Sequence, residues 1–128
     1  MTSINSSSPK LNLRIQPITI EGAATAPPAG VYFHREHMDF VGFITDAALV
    51  TKAILWYGAL TKGDAEAGTW SVLEWGGAAK TTVVSAAGAG VGEDPLHFLV
   101  FPYLRPILGD IQEETPTTIT GIFRDFSS

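Results

Sequence analysis

The sequence predicts an all-β fold: a single-domain antiparallel β-sandwich or jelly-roll-like barrel of about seven to eight short strands. Three observations carry this expectation. Apolar and polar residues alternate at period two over several short stretches. Gly-, Pro-, Asn- and Asp-rich turn signals recur roughly every 8–12 residues. Little of the chain holds a convincing helical repeat. With 128 residues the chain is one domain's worth, able to bury roughly two-thirds of its unfolded surface. No internal repeat and no linker divides it, so residues 1–10 read as a polar N-terminal arm and 11–128 as a single β domain.

Taken in order, MTSINSSSPK is Ser-rich and nearly devoid of apolar residues, so it is expected to be disordered or ordered only against a partner. In LNLRIQPITI, Leu11, Leu13 and Ile15 alternate with Asn12, Arg14 and Gln16, which predicts a half-buried strand with the aliphatic residues inward. Pro17 cannot donate to a ladder, so the strand ends, bulges or lies at a sheet edge there. EGAATAPPAG is a loop held extended by Pro27-Pro28. The apolar pieces VYF and MDFVGFI flank HREH, and simple alternation puts Phe40, Gly42 and Ile44 on one face with Val41 and Phe43 on the other. Residues 45–60 carry two signals. Asp46 is a fair N-cap, with Leu49, Ala53, Tyr57 and Leu60 at helical spacing. But Val50, Thr51, Ile54, Trp56 and Tyr57 favour a strand over 50–60, after a short helical turn at 46–49.

TKGDAEAG is turn chemistry, and TWSVLEW returns beside 50–60 as a hairpin, with Trp70 and Val72 opposite Leu73 and Trp75. KTTVVSA is a further strand. AGAGVGEDP is a glycine loop. LHFLVFPYL is apolar on both faces, the mark of a central strand, with Pro102 and Pro106 as its stops. GDIQEET is an acidic connector before a last strand, TTITGIFRDF.

Charge narrows the function classes. Charged residues make up only 16% of the chain against 45% hydrophobic, with three Trp, three Tyr and seven Phe. So little charge suggests that another chain covers part of the surface, and a homo-oligomer is expected. Up to Lys62 five basic residues face four acidic; from Gly63 onward three face nine, which puts the net charge of −5 in the second half. An acidic half with no basic cluster argues against a nucleic-acid partner. A basic protein surface suits it better. No apolar run approaches the roughly 18 residues of a membrane span. The N-terminus has no charged segment followed by an apolar one, so neither a membrane nor a signal peptide is expected. The absence of cysteine removes disulfide frameworks, Cys-based zinc sites and cysteine nucleophiles.

His34, Glu36, His37 and Asp39 are the densest set of candidate ligands. Metal-binding nitrogens must converge about 2 Å from one point. A three-residue spacing achieves that on a helix but sends the rings to opposite faces of a strand. The order H-R-E-H also differs from the H-E-x-x-H of zinc proteases. The favoured expectation is therefore a polar strand-to-strand corner in which Arg35 pairs with a nearby carboxylate, and no metal or other cofactor is expected. A pH-responsive interface is a further option. Gly88, Gly90 and Gly92 precede Glu93-Asp94-Pro95 rather than a helix, so a phosphate cradle is not expected. Glu93, Asp94, Asp110, Glu113 and Glu114 lack the alternating ligand spacing of a Ca²⁺ loop. Trp56, Tyr57, Trp70 and Trp75 could form a sugar-stacking platform, although such residues more often anchor cores or interfaces. His97 is expected as a satisfied core histidine. No G-x-S-x-G occurs, and Ser71 and Ser85 have no evident base, so no catalytic residue is assigned.

MTSINSSSPK, EGAATAPPAG, ILWYGALTKGDAEAGTW and TTVVSAAGAGVGEDP together give the chain a texture of polar arm, small-residue loops and cysteine-free β body. In this it resembles the accessory virion proteins of tailed bacteriophages, above all the capsid cement or decoration proteins. That resemblance implies a non-enzymatic structural subunit, often oligomeric, that binds the major capsid protein or other virion subunits and stabilises the particle. It also implies a place in the virion after assembly in the host cytoplasm. Phage tail and neck proteins share the texture, and a carbohydrate-binding β-sandwich is the alternative from another class. The residues expected at an interface are Ile4, Lys10, Arg35, Glu36, His37, Trp56, Trp70 and Trp75.

Overall fold

The computed structural model describes residues 12–20, 31–46, 49–108 and 117–125. The chain is all-β and antiparallel, as expected. Eleven strands are present among these residues, four of them two-residue ladders: β1 (Asn12–Ile20), β2 (Phe33–His34), β3 (Asp39–Thr45), β4 (Leu49–Ala59), β5 (Ser71–Val72), β6 (Glu74–Trp75), β7 (Ala78–Ala79), β8 (Thr81–Val84), β9 (Gly90–Gly92), β10 (Tyr103–Leu108) and β11 (Thr117–Asp125). The first sheet has the order β1-β11-β3-β9. The second runs β2-β10-β4-β5, with β8 also on β4, and β6-β7 is a separate hairpin. Neither sheet closes into a barrel. Inward side chains of both sheets meet in one aromatic core, where Trp56 contacts Phe40, Phe43 and Phe98 with ring centroids 5.3, 5.7 and 5.1 Å away.

The first strand reverses the alternation expected of it. Its aliphatic residues Leu13 and Ile15 are 49% and 57% exposed, while Ile18 and Ile20 are buried. Arg14 and Gln16 therefore share the inner face. The Arg14 guanidinium lies 4.4 Å over the Phe123 ring and donates to the His34 carbonyl. Gln16 accepts from His34 N–H at 3.3 Å and donates to the Tyr32 carbonyl at 3.1 Å. The side-chain amide thus stands in for a neighbouring strand along β2, whose open edge faces β1. Pro17 does not end the strand. It sits opposite Thr120 in an unbroken register with β11, on an edge where its missing donor faces outward.

A bulge corrects the expected faces of β3. Pairing with β11 shifts between Ile122 and Phe123, leaving Val41 as the extra residue. Phe40 and Phe43 consequently both face the core despite their odd spacing, and Ile44 turns outward. In β11, Gly121 lies where a Cβ would sit 2.8 Å from Phe33 Cε1 and 3.1 Å from Phe123 Cε1, so only glycine fits under those rings.

The strand expected at 50–60 is present as β4; the helical turn expected at 46–49 falls partly on residues outside those described. The turn expected at 61–68 is a short helix, α1 (Lys62–Ala67), because Thr61 Oγ1 accepts from Asp64 N–H at 3.1 Å and caps it. The chain still returns antiparallel to β4 through β5. Gly76 and Gly77, at φ 66° and 87°, form the tight β6–β7 turn, which needs positive φ at both positions. The glycine loop holds an edge strand, β9, on β3. The acidic connector 109–115 lies outside the described residues. β11 forms as expected, but inside its sheet, between β1 and β3.

The expected central strand at 96–104 is absent. Asp94 caps a 3-10 turn (Pro95–Phe98) by accepting from Leu96 N–H at 3.0 Å, and Leu96, Leu99 and Val100 are exposed. The strand instead begins after Pro102 and passes through Pro106, which faces Trp56. Trp56 gives its N–H to Lys80 and its C=O to Leu73, on the side away from β10. Pro106 therefore occupies a position of the β10–β4 ladder that needs no donor.

Candidate functional site

Two chain crossings between the sheets lie at the same end of the sandwich. Residues 35–38 carry the chain from β2 to β3, and residues 93–102 carry it from β9 to β10. Arg35 binds the crossings together. Its main-chain N–H donates to the Pro102 carbonyl at 2.8 Å. Its guanidinium donates to the carbonyls of Phe101 (2.8 Å), Met38 (3.0 Å) and Leu99 (3.2 Å). Glu36, at φ 54°, turns the chain back so that Met38 N–H reaches the Arg35 carbonyl at 2.9 Å. The expected polar corner is thus present, but the expected Arg35–carboxylate pair is not. Carbonyls take the guanidinium, and Glu36 instead lies 3.5 Å from Arg14. Burial lowers the Arg35 pKa, opposed by the charge of Asp39.

His34, Arg35, Glu36, His37 and Pro102 line an open cleft of about 350 Å³. His34 stacks on Tyr103 with ring centroids 4.4 Å apart, and burial pushes its pKa down, against the pull of Glu36 upward. The neutral imidazole is therefore favoured. His37 and Glu36 are exposed. Among the described residues no group of three or more His, Asp or Glu side chains could hold a metal ion. No histidine nitrogen there hydrogen-bonds a hydroxyl as a catalytic base would. The Thr82 hydroxyl does donate to Glu93, which also pairs with Lys80 at 3.0 Å, and Trp56 Nε1 donates to Thr82 at 3.0 Å. The Glu93 side chain is only 5% exposed, so these bonds fasten β8 to the core.

The tryptophans expected at an interface have three different fates. Trp56 is wholly buried and is corrected to a core residue. Trp70 is half-buried, 6.0 Å from Tyr32. Trp75 is exposed on the β6–β7 hairpin and stacks on His97 at 4.2 Å. His97, expected in the core, lies partly exposed on the 3-10 turn, 3.8 Å from Asp94. No common platform of Trp56, Tyr57, Trp70 and Trp75 exists. A different aromatic run, His34–Tyr103–Tyr32–Trp70, leads away from the cleft, of which His34 alone is a wall. Tyr32 donates to Glu66 at 2.7 Å, and that hydrogen bond, with burial and the charge of Glu66, raises its pKa to about 12. Ile4 and Lys10 lie outside the described residues.

The second crossing carries an aliphatic rim: Leu96, Leu99 and Val100 are each 45% to 60% exposed, and Trp75 stacks on His97 of the same stretch. Glu36 and Asp94, one on each crossing, are exposed, as is Glu74 beside Trp75. Sequence reasoning missed this rim because it placed 96–104 in a strand. It also missed Arg14, Gln16 and Tyr103. Asp94-Pro95, an N-cap followed by proline at the first helical position, was the signal that could have found the turn. Comparison with known protein families, curated proteins and solved structures finds no match for this chain.

Proposed function

We propose that this chain is a non-enzymatic structural subunit of a viral particle, of the capsid cement or decoration kind, which docks on other virion subunits through the crossing end of its sandwich. The observation that carries the reading is the exposed aliphatic row Leu96, Leu99 and Val100 on the crossing that Arg35 holds, the arginine itself being spent on main-chain carbonyls. An end so built offers apolar area and shape rather than reactive groups. Exposed Glu36, Glu74 and Asp94 favour a partner with a basic margin, and the low overall charge suits a surface that another chain covers.

Virus particles from the same source, incubated with the purified chain and imaged by electron microscopy, test the proposal. Added density on the particle surface is the expected result. Leu99→Asp with Val100→Asp should abolish it while leaving the circular dichroism unchanged, since both positions face solvent. A chain that binds no particle at saturating concentration would sink the reading. Carbohydrate binding is the second reading, favoured by the run of rings Tyr103, Tyr32 and Trp70 that continues from His34 of the cleft. Those rings are tilted 56° and 80° to one another and share no flat face for a sugar, which ranks it below docking. Tryptophan fluorescence that stays constant under added sugars would remove it.

A further inference from the structure

The sheet edges of this molecule are of very unequal length. In the first sheet β9 has three residues; in the second, β2 and β5 have two each and β8, on the outside of β4, has four. Edges this short present few free main-chain groups, a common way of preventing strand addition. β1, nine residues long, is the exception, and among the described residues it pairs only with β11.

Hydrogen bonds on the far side of β11 fix which groups of β1 are free. Thr118 donates its N–H to Asp46 Oδ1 at 3.1 Å, and its carbonyl accepts from Asp46 N–H at 3.3 Å. Even-numbered residues of β11 therefore point their main-chain groups away from β1. Their partners on β1 are Leu13, Ile15, Pro17 and Thr19, which must point N–H and C=O outward, off the sheet. Pro17 lacks the donor, so the usable part of the edge is its N-terminal half. There Leu13 and Ile15 also place exposed aliphatic side chains on the outer face, beside Ile122. The only charge described on β1, Arg14, points inward and is met by Glu36. Among the described residues of β1 no outward lysine or other charge guards this edge.

We propose that β1 is a self-association edge, which pairs antiparallel with β1 of a second copy to run the first sheet of one copy into that of the other. An identical strand is the natural occupant, because a two-fold contact needs only one self-complementary patch. With the axis at Arg14, Leu13 faces Ile15 of the second copy and the reverse, so each outward N–H meets a carbonyl. The outer-face row Ile122–Ile15 then continues into Leu13 of the second copy. Pro17 lies beyond this overlap, which sets how far the strands pair. The two Arg14 guanidinium groups approach the axis, each folded over its own Phe123 and compensated by its own Glu36. This proposal rests on the assembly reading for self-association, but it concerns a different surface from the aliphatic rim.

Sedimentation of the full chain over a range of concentrations tests it, with a dimer of the 13.6 kDa subunit as the expected result. Ile15→Pro removes an outward donor and none of the bonds to β11, so it should weaken association by about tenfold or more with circular dichroism unchanged. Where that variant does not fold, single cysteines in this cysteine-free chain decide. Leu13→Cys should cross-link in pairs under mild oxidation, and Val83→Cys, exposed on the other sheet, should not. A monomer at every concentration overturns the proposal, as does an Ile15→Pro dimer of undiminished affinity. A monomer that still decorates particles overturns the edge and leaves the docking function standing. A dimer that decorates none does the opposite.

Discussion

Arg35 donates to three carbonyls belonging to two separate crossings, so its removal leaves three acceptors without their partner at once. Hydrogen bonds from a charged donor contribute roughly 1.5–3 kcal/mol each, less where water reaches the site. Arg35→Ala should therefore lower the unfolding free energy by about 3 kcal/mol in urea titrations. Arg35→Lys should recover less than half of that, because a point ammonium lacks the planar fork. His34 gives a pH signature. Burial lowers its pKa in the folded chain, so the unfolded chain binds the proton more tightly. Stability should be complete above about pH 6.5 and decline as pH falls below it, until the folded imidazole also titrates. Urea midpoints measured against pH should show this decline, and His34→Gln should flatten it.

At the scale of elements, β1 shows where alternation misleads. Period two was correctly read, but its phase was not: Leu13 and Ile15 face outward because Arg14 and Gln16 are needed along β2. Gln16→Leu should cost about 1–3 kcal/mol of stability, since the His34 N–H and Tyr32 carbonyl lose the amide that satisfies them. β3 misleads for another reason, as one bulged residue changes the phase between Phe40 and Phe43. β11 is simpler. Gly121→Ala would force a methyl against Phe33 and should destabilise by about 1–3 kcal/mol, read as a lower thermal midpoint. Pro17 lies on an edge strand, one of the outcomes expected of it, whereas Pro106 does not stop its strand. Pro17 and Pro106 both lie inside strands, each at a position where the ladder asks for no donor.

For the whole molecule, the core is a single aromatic cluster shared by both sheets, with Trp56 at its centre. Trp56→Ala should cost about 3–5 kcal/mol, a large share of the 5–15 kcal/mol typical of a domain, and should appear as unfolding at much lower urea. Most of the strands could be read from β-branched and aromatic stretches between turn residues. The site could be read only in part. HREH was recognisable as a polar corner, but Arg35's partners lie 64 and 66 residues away in sequence. The aliphatic rim was hidden because LHFLVFPYL fits a buried strand as well as it fits an exposed turn.

Composition and local pattern determined what depends on near neighbours: an all-β antiparallel domain, its low surface charge, and a corner at residues 34–37. Tertiary structure alone decided which face of β1 is inside, which strand forms the long open edge, and that Arg35 holds two crossings rather than a carboxylate. The physical reason is that period-two alternation specifies two faces without saying which one is buried. That choice belongs to whatever packs against the strand, and here the partners come from distant parts of the chain.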